Sequence, residues 1–223
     1  MSMSTRGASM SNVATQPQAV VPASKPEVSL ALAGHFLALD FETGGTDPQT
    51  DGPVQLAVVA FDHWEPVDRA CWIIKPATNK NGKVICKYDV NALAISGLTW
   101  KQIQNGDDEI TVLRELVKFA EKHDARRATI VSHNAQFDAA FLSQLVFRCG
   151  IYDRGRWSAA AEPLWGPWAC TRRMAYPLGL ENLKLDTVAG HFGLARTTAN
   201  HDACEDAELC GRVYTHLMTL EGF

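Results

Sequence analysis

No apolar stretch in this chain approaches the roughly 18 residues that a membrane-spanning helix needs. The most apolar N-terminal segment, Val28 to Leu39, contains His35 and runs straight into acidic residues. It lacks both the basic flank and the small-residue cleavage site of a secretory signal. No pair among the six cysteines (Cys71, Cys86, Cys149, Cys170, Cys204 and Cys210) has CxxC spacing. In a chain of 223 residues that scatter reads as reduced, mostly buried thiols rather than a disulfide frame or a zinc site. Excess positive charge is missing too. The formal net charge of −4 argues against holding nucleic acid through overall basicity. It leaves room for an enzyme whose bound metal ions supply positive charge locally. There is no internal repeat. The expectation is a soluble, cytoplasmic protein with no membrane partner.

What is present is an ordinary globular composition, 46% hydrophobic. Residues 1–27 are rich in Ser, Ala, Pro and Gln with no hydrophobic period, so they read as a disordered tail before one domain, 28–223. Phe36–Phe41 is an apolar run that ends in Asp40-Phe41-Glu42 and meets a Thr-Gly-Gly-Thr-Asp-Pro turn. Val54–Phe61 and Ala70–Ile74 predict two more strands, and a polar loop follows over 75–91. Helical spacing appears over Glu109–Lys122, then a short strand at Ala128–Ser132 and a helix from Phe137 to Cys149. After an irregular stretch (155–168), Asn182–Phe192 and Asp202–Leu220 predict further helices. That order fits an α/β domain with a mixed sheet.

The informative residues are acids on apolar faces. A strand period of two puts Phe36, Ala38, Asp40 and Glu42 on one face and Leu37, Leu39 and Phe41 on the other. Both faces are apolar, so the strand is expected at the centre of the sheet, with two acids at its C-terminal end. In the helix from Phe137, the stripe Phe141, Leu142, Leu145, Cys149 extends back to Asp138. In the last helix, the stripe Ala203, Cys210, Val213, Tyr214, Leu217 takes in Asp206. A buried unpaired carboxylate costs several kcal/mol, and four converging ones also repel each other. Bound cations would neutralise them. Hard oxygen ligands with no cysteine point to Mg²⁺ or Mn²⁺, and two such ions ~4 Å apart form a clamp for attack at phosphorus.

Taken singly, each residue has a plainer explanation. Asp40 and Glu42 could be a strand-end pair facing solvent, and Asp138 a helix N-terminal acid favoured by the dipole. Asp206 could be an exposed helix acid if the helix phase is off by one. His201 lies just before the last helix, where Asp202 is a plausible N-cap. A histidine with a pKa near ~6.5 can take a proton from a water at neutral pH, but a lone loop histidine is usually a surface residue. His133 reads as a structural, hydrogen-bonding residue.

Three segments together carry a resemblance. Asp40-Phe41-Glu42-Thr43-Gly44, His133-Asn134-Ala135-Gln136-Phe137-Asp138 and His201-Asp202-Ala203-Cys204-Glu205-Asp206-Ala207 resemble the motifs of the histidine-type DEDD 3′→5′ exonucleases. These are the proofreading-subunit-like and ribonuclease T-like enzymes. Ile95-Ser96-Gly97-Leu98-Thr99 and Leu185-Asp186-Thr187-Val188-Ala189 are similar to two further family segments. The resemblance spans about residues 35–218. It implies a ribonuclease-H-like fold with a central five-stranded mixed sheet, and two divalent cations held by Asp40, Glu42, Asp138 and Asp206. It also implies His201 as general base and release of nucleoside 5′-monophosphates from a nucleic acid with a free 3′ end. Thr43, Gly44, Ile95, Ser96 and Phe137 would lie against the terminal nucleotide.

Two departures bear on substrate. Ser96 replaces the histidine usual in its segment, and Cys170-Thr171 stands where many members have Asp-Thr. The loop 75–91 and the Trp157/Trp165/Trp168 stretch have no assigned counterpart in the family, and those tryptophans read as core or lid packing. Arg148, Arg154, Arg156, Arg172, Arg173, Lys184 and Arg196 make the region after the second motif basic, whether tracking phosphates or lying on solvated faces. DNA or RNA as substrate, and a homodimer or a polymerase as partner, are left open. The alternative reading is a non-catalytic nucleic-acid-binding module on the same fold.

Overall fold

The computed structural model describes residues 34–125, 128–150, 152–153, 156–157, 164, 166–198 and 201–220, with backbone alone at 152–153 and 156–157. The expected tail, Trp165 and Arg154 lie outside these residues, as do the side chains of Arg156 and Trp157. A five-stranded mixed sheet has the order β3-β2-β1-β4-β7, built from β1 (Phe36–Thr43), β2 (Pro53–Asp62), β3 (Glu65–Ile73), β4 (Thr129–Ser132) and β7 (Trp168–Cys170). β1 is central, antiparallel to β2 and parallel to β4, and β4 is parallel to β7. Between them β5 (Tyr152–Asp153) and β6 (Arg156–Trp157) pair as a two-stranded ribbon. The sheet is that of the ribonuclease-H-like fold, as expected. Among the described residues no helix is long and apolar enough to cross a membrane.

The helices are α1 (Val90–Ser96), α2 (Trp100–Gln104), α3 (Glu109–Lys122), α4 (Ala135–Arg148), α5 (Thr171–Met174), α6 (Leu185–His191) and α7 (Ala203–Thr219). The alternation read from β1 divides the core in two. Leu37, Leu39 and Phe41 pack with Leu116, Phe141 and Leu145 of α3 and α4 on one face. Phe36 and Ala38 pack with Val188 of α6 and with Cys210, Val213 and Tyr214 of α7 on the other. Helix α7 comes close because Gly211 has no side chain: a Cβ there would collide with the Phe61 ring and lie 3.1 Å from Ala38 Cβ. On the opposite face α3 and α4 are tied at their ends. Arg148 makes a bidentate ion pair with Glu109 (Nη2 to Oε1 2.7 Å, Nε to Oε1 2.9 Å), both side chains nearly buried. Arg148 is therefore a structural cation and not a solvated or phosphate-tracking one.

Several boundaries differ from the sequence reading. β3 begins at Glu65, five residues early, because its first half is a polar edge with no apolar period to mark it. β7 was missed, since three residues beside a Pro/Gly-rich stretch carry no pattern of their own. α4 starts two residues early at Ala135, and α6 starts three late at Leu185. At α6 the Asn182 side chain accepts hydrogen bonds from Lys184 N and Thr187 Oγ1, holding a turn ahead of the helix. The loop after β3 is not free. Lys87 N donates to Thr50 O, Gly52 N to Lys87 O, and Asp89 N to Gly44 O, lacing the loop onto the turn that follows β1. This docking carries α1 to the end of β1.

Candidate active site

The site forms at the C-terminal ends of β1 and β4, where α4 and α7 begin. Asp40 and Glu42 project from the same face of β1. The register with β2 slips between Glu42 and Thr43, a bulge that re-aims the strand end beside the site. Asp138 sits in the first turn of α4, 3% exposed. Its Oδ1 accepts from Phe41 N at 3.1 Å, and Ser132 Oγ donates to Oδ2, so β1 and β4 both fix it. Asp206, also 3% exposed, lies in the first turn of α7. Its Oδ2 is 3.2 Å from His201 Nδ1.

The start of α7 is clamped to the sheet by a residue that the sequence reading passed over. Asp202 caps the helix by accepting from Cys204 N and Glu205 N, both at 3.1 Å. Gln55, buried in β2 directly opposite Glu42, donates to Asp202 Oδ2 at 3.2 Å and accepts from Ala203 N at 3.3 Å. One amide thus joins the strand carrying Glu42 to the helix carrying Asp206. The available signal was a lone glutamine inside the apolar run VQLAVVAF.

All four acids are held above the ordinary carboxylate range, and burial is the largest cause in each. Burial, followed by repulsion from Asp138, Asp206 and Glu42, holds the Asp40 carboxyl far above its ordinary range. Burial and then Asp206 push Glu42 up to about 7. Burial carries Asp138 to about 7 despite its donors, and Asp206 to about 7 despite Arg196. Ligand atoms of Glu42, His201 and Asp206 lie within 4.8 Å of one another, a spacing that one ion can bridge. Asp206 Oδ1 is buried without an aligned hydrogen bond and faces Arg196 Nε at 3.0 Å, a charged contact rather than a satisfied acceptor. The carboxylate oxygens suit a hard divalent ion, and the imidazole nitrogen is a borderline donor beside them. Asp40 and Asp138 border the triad and stand outside that 4.8 Å group.

His133 is structural, as read. Its Nε2 lies 2.8 Å from Leu183 O and must donate there, which leaves Nδ1 to accept from Thr171 Oγ1 at 2.9 Å. His201 is less confined, 45% exposed at the side chain, and burial and then Arg196 lower its pKa below the ordinary histidine range. Its backbone N–H donates to Ile95 O at 3.2 Å, which brings the last turn of α1 beside it. Ile95 is 54% exposed there. Ser96 is buried, and its hydroxyl donates to Leu93 O within its own helix. Gly44 is a glycine for space, since a Cβ would come within 2.7 Å of Tyr88 Cδ1 and 2.9 Å of Tyr88 Cα. Thr43 Oγ1 donates to Gly45 O at 2.6 Å. Phe137 is partly buried against Phe141, ring centroids 4.8 Å apart. Trp168 packs on the core as expected. Beside the first turn of α4, Asn134, Gln136, Arg172, Arg173 and Tyr176 line a groove of about 700 Å³.

The motifs, the sheet and the acids meet in one place, and the sequence as a whole matches one family model, described as Exonuclease, over residues 37–214. The chain belongs to the exonuclease family. It is 28% identical to a PolC-type DNA polymerase III of Thermotoga maritima over 83% of this chain and 12% of that one. It is also 28% identical to ribonuclease T of Pectobacterium atrosepticum over 54% of this chain and 58% of that one. The chain therefore spans about an eighth of the polymerases it matches and just over half of ribonuclease T. In fold it is similar to E. coli Exonuclease I in complex with an oligonucleotide, with a TM-score of 0.64 and 20% identity over 83% of this chain and 41% of that one. A 3′-exonuclease that recognises the histone mRNA stem-loop gives a TM-score of 0.65 at 14% identity, over 83% of this chain and 81% of that one.

Proposed function

We propose that the chain is a metal-dependent 3′→5′ exonuclease that trims DNA or RNA from a free 3′ end and releases nucleoside 5′-monophosphates. The observation that carries this reading is the convergence of Glu42, His201 and Asp206 within 4.8 Å, with Asp40 and Asp138 adding charge from the adjoining strand and helix. Two divalent cations, Mg²⁺ or Mn²⁺, held by Asp40, Glu42, Asp138 and Asp206 would neutralise charge at the phosphate and acidify the attacking water. His201 presents Nδ1 to Asp206, leaving Nε2 to take the proton of that water. In this reading Thr43, Gly44, Ile95 and Phe137 would lie against the terminal nucleotide, the exposed Ile95 most directly, and Ser96 would act by tying the helix end that carries Ile95. The groove with Arg172, Arg173 and Tyr176 would take the strand upstream, through phosphate contacts and base stacking.

A time course on 5′-labelled single-stranded DNA, RNA and duplex oligonucleotides with Mg²⁺ or Mn²⁺ tests the proposal. The expected result is a ladder shortening from the 3′ end, abolished in Asp40→Ala and Asp206→Asn. Internal fragments would assign an endonuclease instead. Oligonucleotide binding without any cleavage would favour the non-catalytic module.

A further inference from the structure

We propose that Arg196 is an internal counter-ion of the metal centre: it holds Asp206 while no cation is bound, withdraws onto Asp186 when one binds, and so sets the affinity for metal. The proposal rests on the reading of the acids as metal ligands. Arg196 Nε lies 3.0 Å from Asp206 Oδ1 and 2.9 Å from Asp186 Oδ1. The guanidinium side chain is only 10% exposed and Asp206 5%, so this is no surface pairing. Yet neither Nε nor Asp206 Oδ1 has an aligned hydrogen bond. The contact is ionic and loosely directed, which a dication can replace without breaking a well-formed bond.

The backbone beside Arg196 is held in place. Glu205, in the first turn of α7, accepts from Thr197 N and from Thr197 Oγ1 at 2.7 Å, and from Thr198 N at 3.3 Å. The guanidinium is thereby delivered to the acids by the same helix that carries Asp206. Asp186, on α6, is 62% exposed and offers a second anion with free space around it. A dication on Asp206 Oδ1 and a guanidinium at the same oxygen repel each other strongly, so one of them must move. The metal ligand is fixed in the first turn of a buried helix, and the arginine is long and flexible. The arginine moves.

The experiment is a titration of Mn²⁺ alone, with free ion read by electron paramagnetic resonance, on the full chain without nucleic acid. Wild type, Arg196→Gln, Arg196→Lys and Asp186→Asn are compared, with melting in EDTA as a second readout. Removing a unit charge at this separation should tighten Mn²⁺ binding of Arg196→Gln at least roughly fivefold. The same variant should melt lower in EDTA, because the acids lose their resident cation. Asp186→Asn, at an exposed position that leaves the core intact, should weaken Mn²⁺ binding, since the guanidinium loses its alternative partner. Arg196→Lys keeps the charge and should stay near wild type. Equal or weaker Mn²⁺ binding in Arg196→Gln, or tighter binding in Asp186→Asn, would overturn the counter-ion role while leaving the nuclease reading standing. Absence of Mn²⁺ binding in the wild type would overturn both.

Discussion

Asp138→Asn separates the charge of an active-site acid from its shape. The side chain is 3% exposed and already accepts from Phe41 N and Ser132 Oγ. Asparagine fits the same space, accepting from Phe41 with its oxygen and donating to Ser132 with its amide. In the folded protein burial carries the Asp138 carboxyl from an ordinary 3.8 to about 7. Between those values the folded state binds more protons than the unfolded one, so stability falls as pH rises through that window and is flat above it. At about 1.4 kcal/mol per pH unit the cost is on the order of 4 kcal/mol at pH 8 and on the order of 1–2 kcal/mol at pH 5. Asparagine carries no such cost. In EDTA the variant's advantage should therefore grow by roughly 3 kcal/mol between pH 5 and pH 8, about 6–12 °C in Tm for a domain of this size. Paired thermal melts at the two pH values measure it. Excess Mn²⁺ should narrow the gap by stabilising the wild type more than the variant, and the variant should cleave nothing. A variant less stable than wild type at pH 8, or an advantage equal at both pH values, would refute the claim that Asp138 is a strained, cation-seeking charge.

Three other outcomes follow from the same geometry. His201→Ala should lower turnover on the order of 10²–10⁴-fold with Mn²⁺ affinity retained, and a parallel loss of affinity would make the histidine a ligand, as its place in the 4.8 Å group allows. Gly211→Ala should destabilise by about 1–3 kcal/mol in a denaturant melt, because its Cβ collides with Phe61, and an unchanged midpoint would mean α7 shifts freely. Glu109→Ala should cost about 3–5 kcal/mol by stranding the nearly buried Arg148, with Arg148→Met restoring part of the loss; a cost below 1 kcal/mol would mean water reaches the pair.

The sequence by itself determined which strand lies at the centre and which acids face inward. Both follow from periodicity, a local property: β1 alternates between two apolar sets, and Asp138 and Asp206 fall in phase with the apolar stripes of α4 and α7. The three motifs then carried the family. What periodicity cannot encode is the meeting of residues from different segments. Gln55 binding Asp202 across 147 positions, the loop 75–89 laced to the turn after β1, and Arg196 lying between Asp186 and Asp206 exist only once the sheet and helices have packed. Arg148 and Arg196 had looked alike as basic residues beside a motif. Tertiary structure decided that both lie nearly buried against acids, because a guanidinium's partner is set by proximity in space, and nothing in its neighbours along the chain announces it.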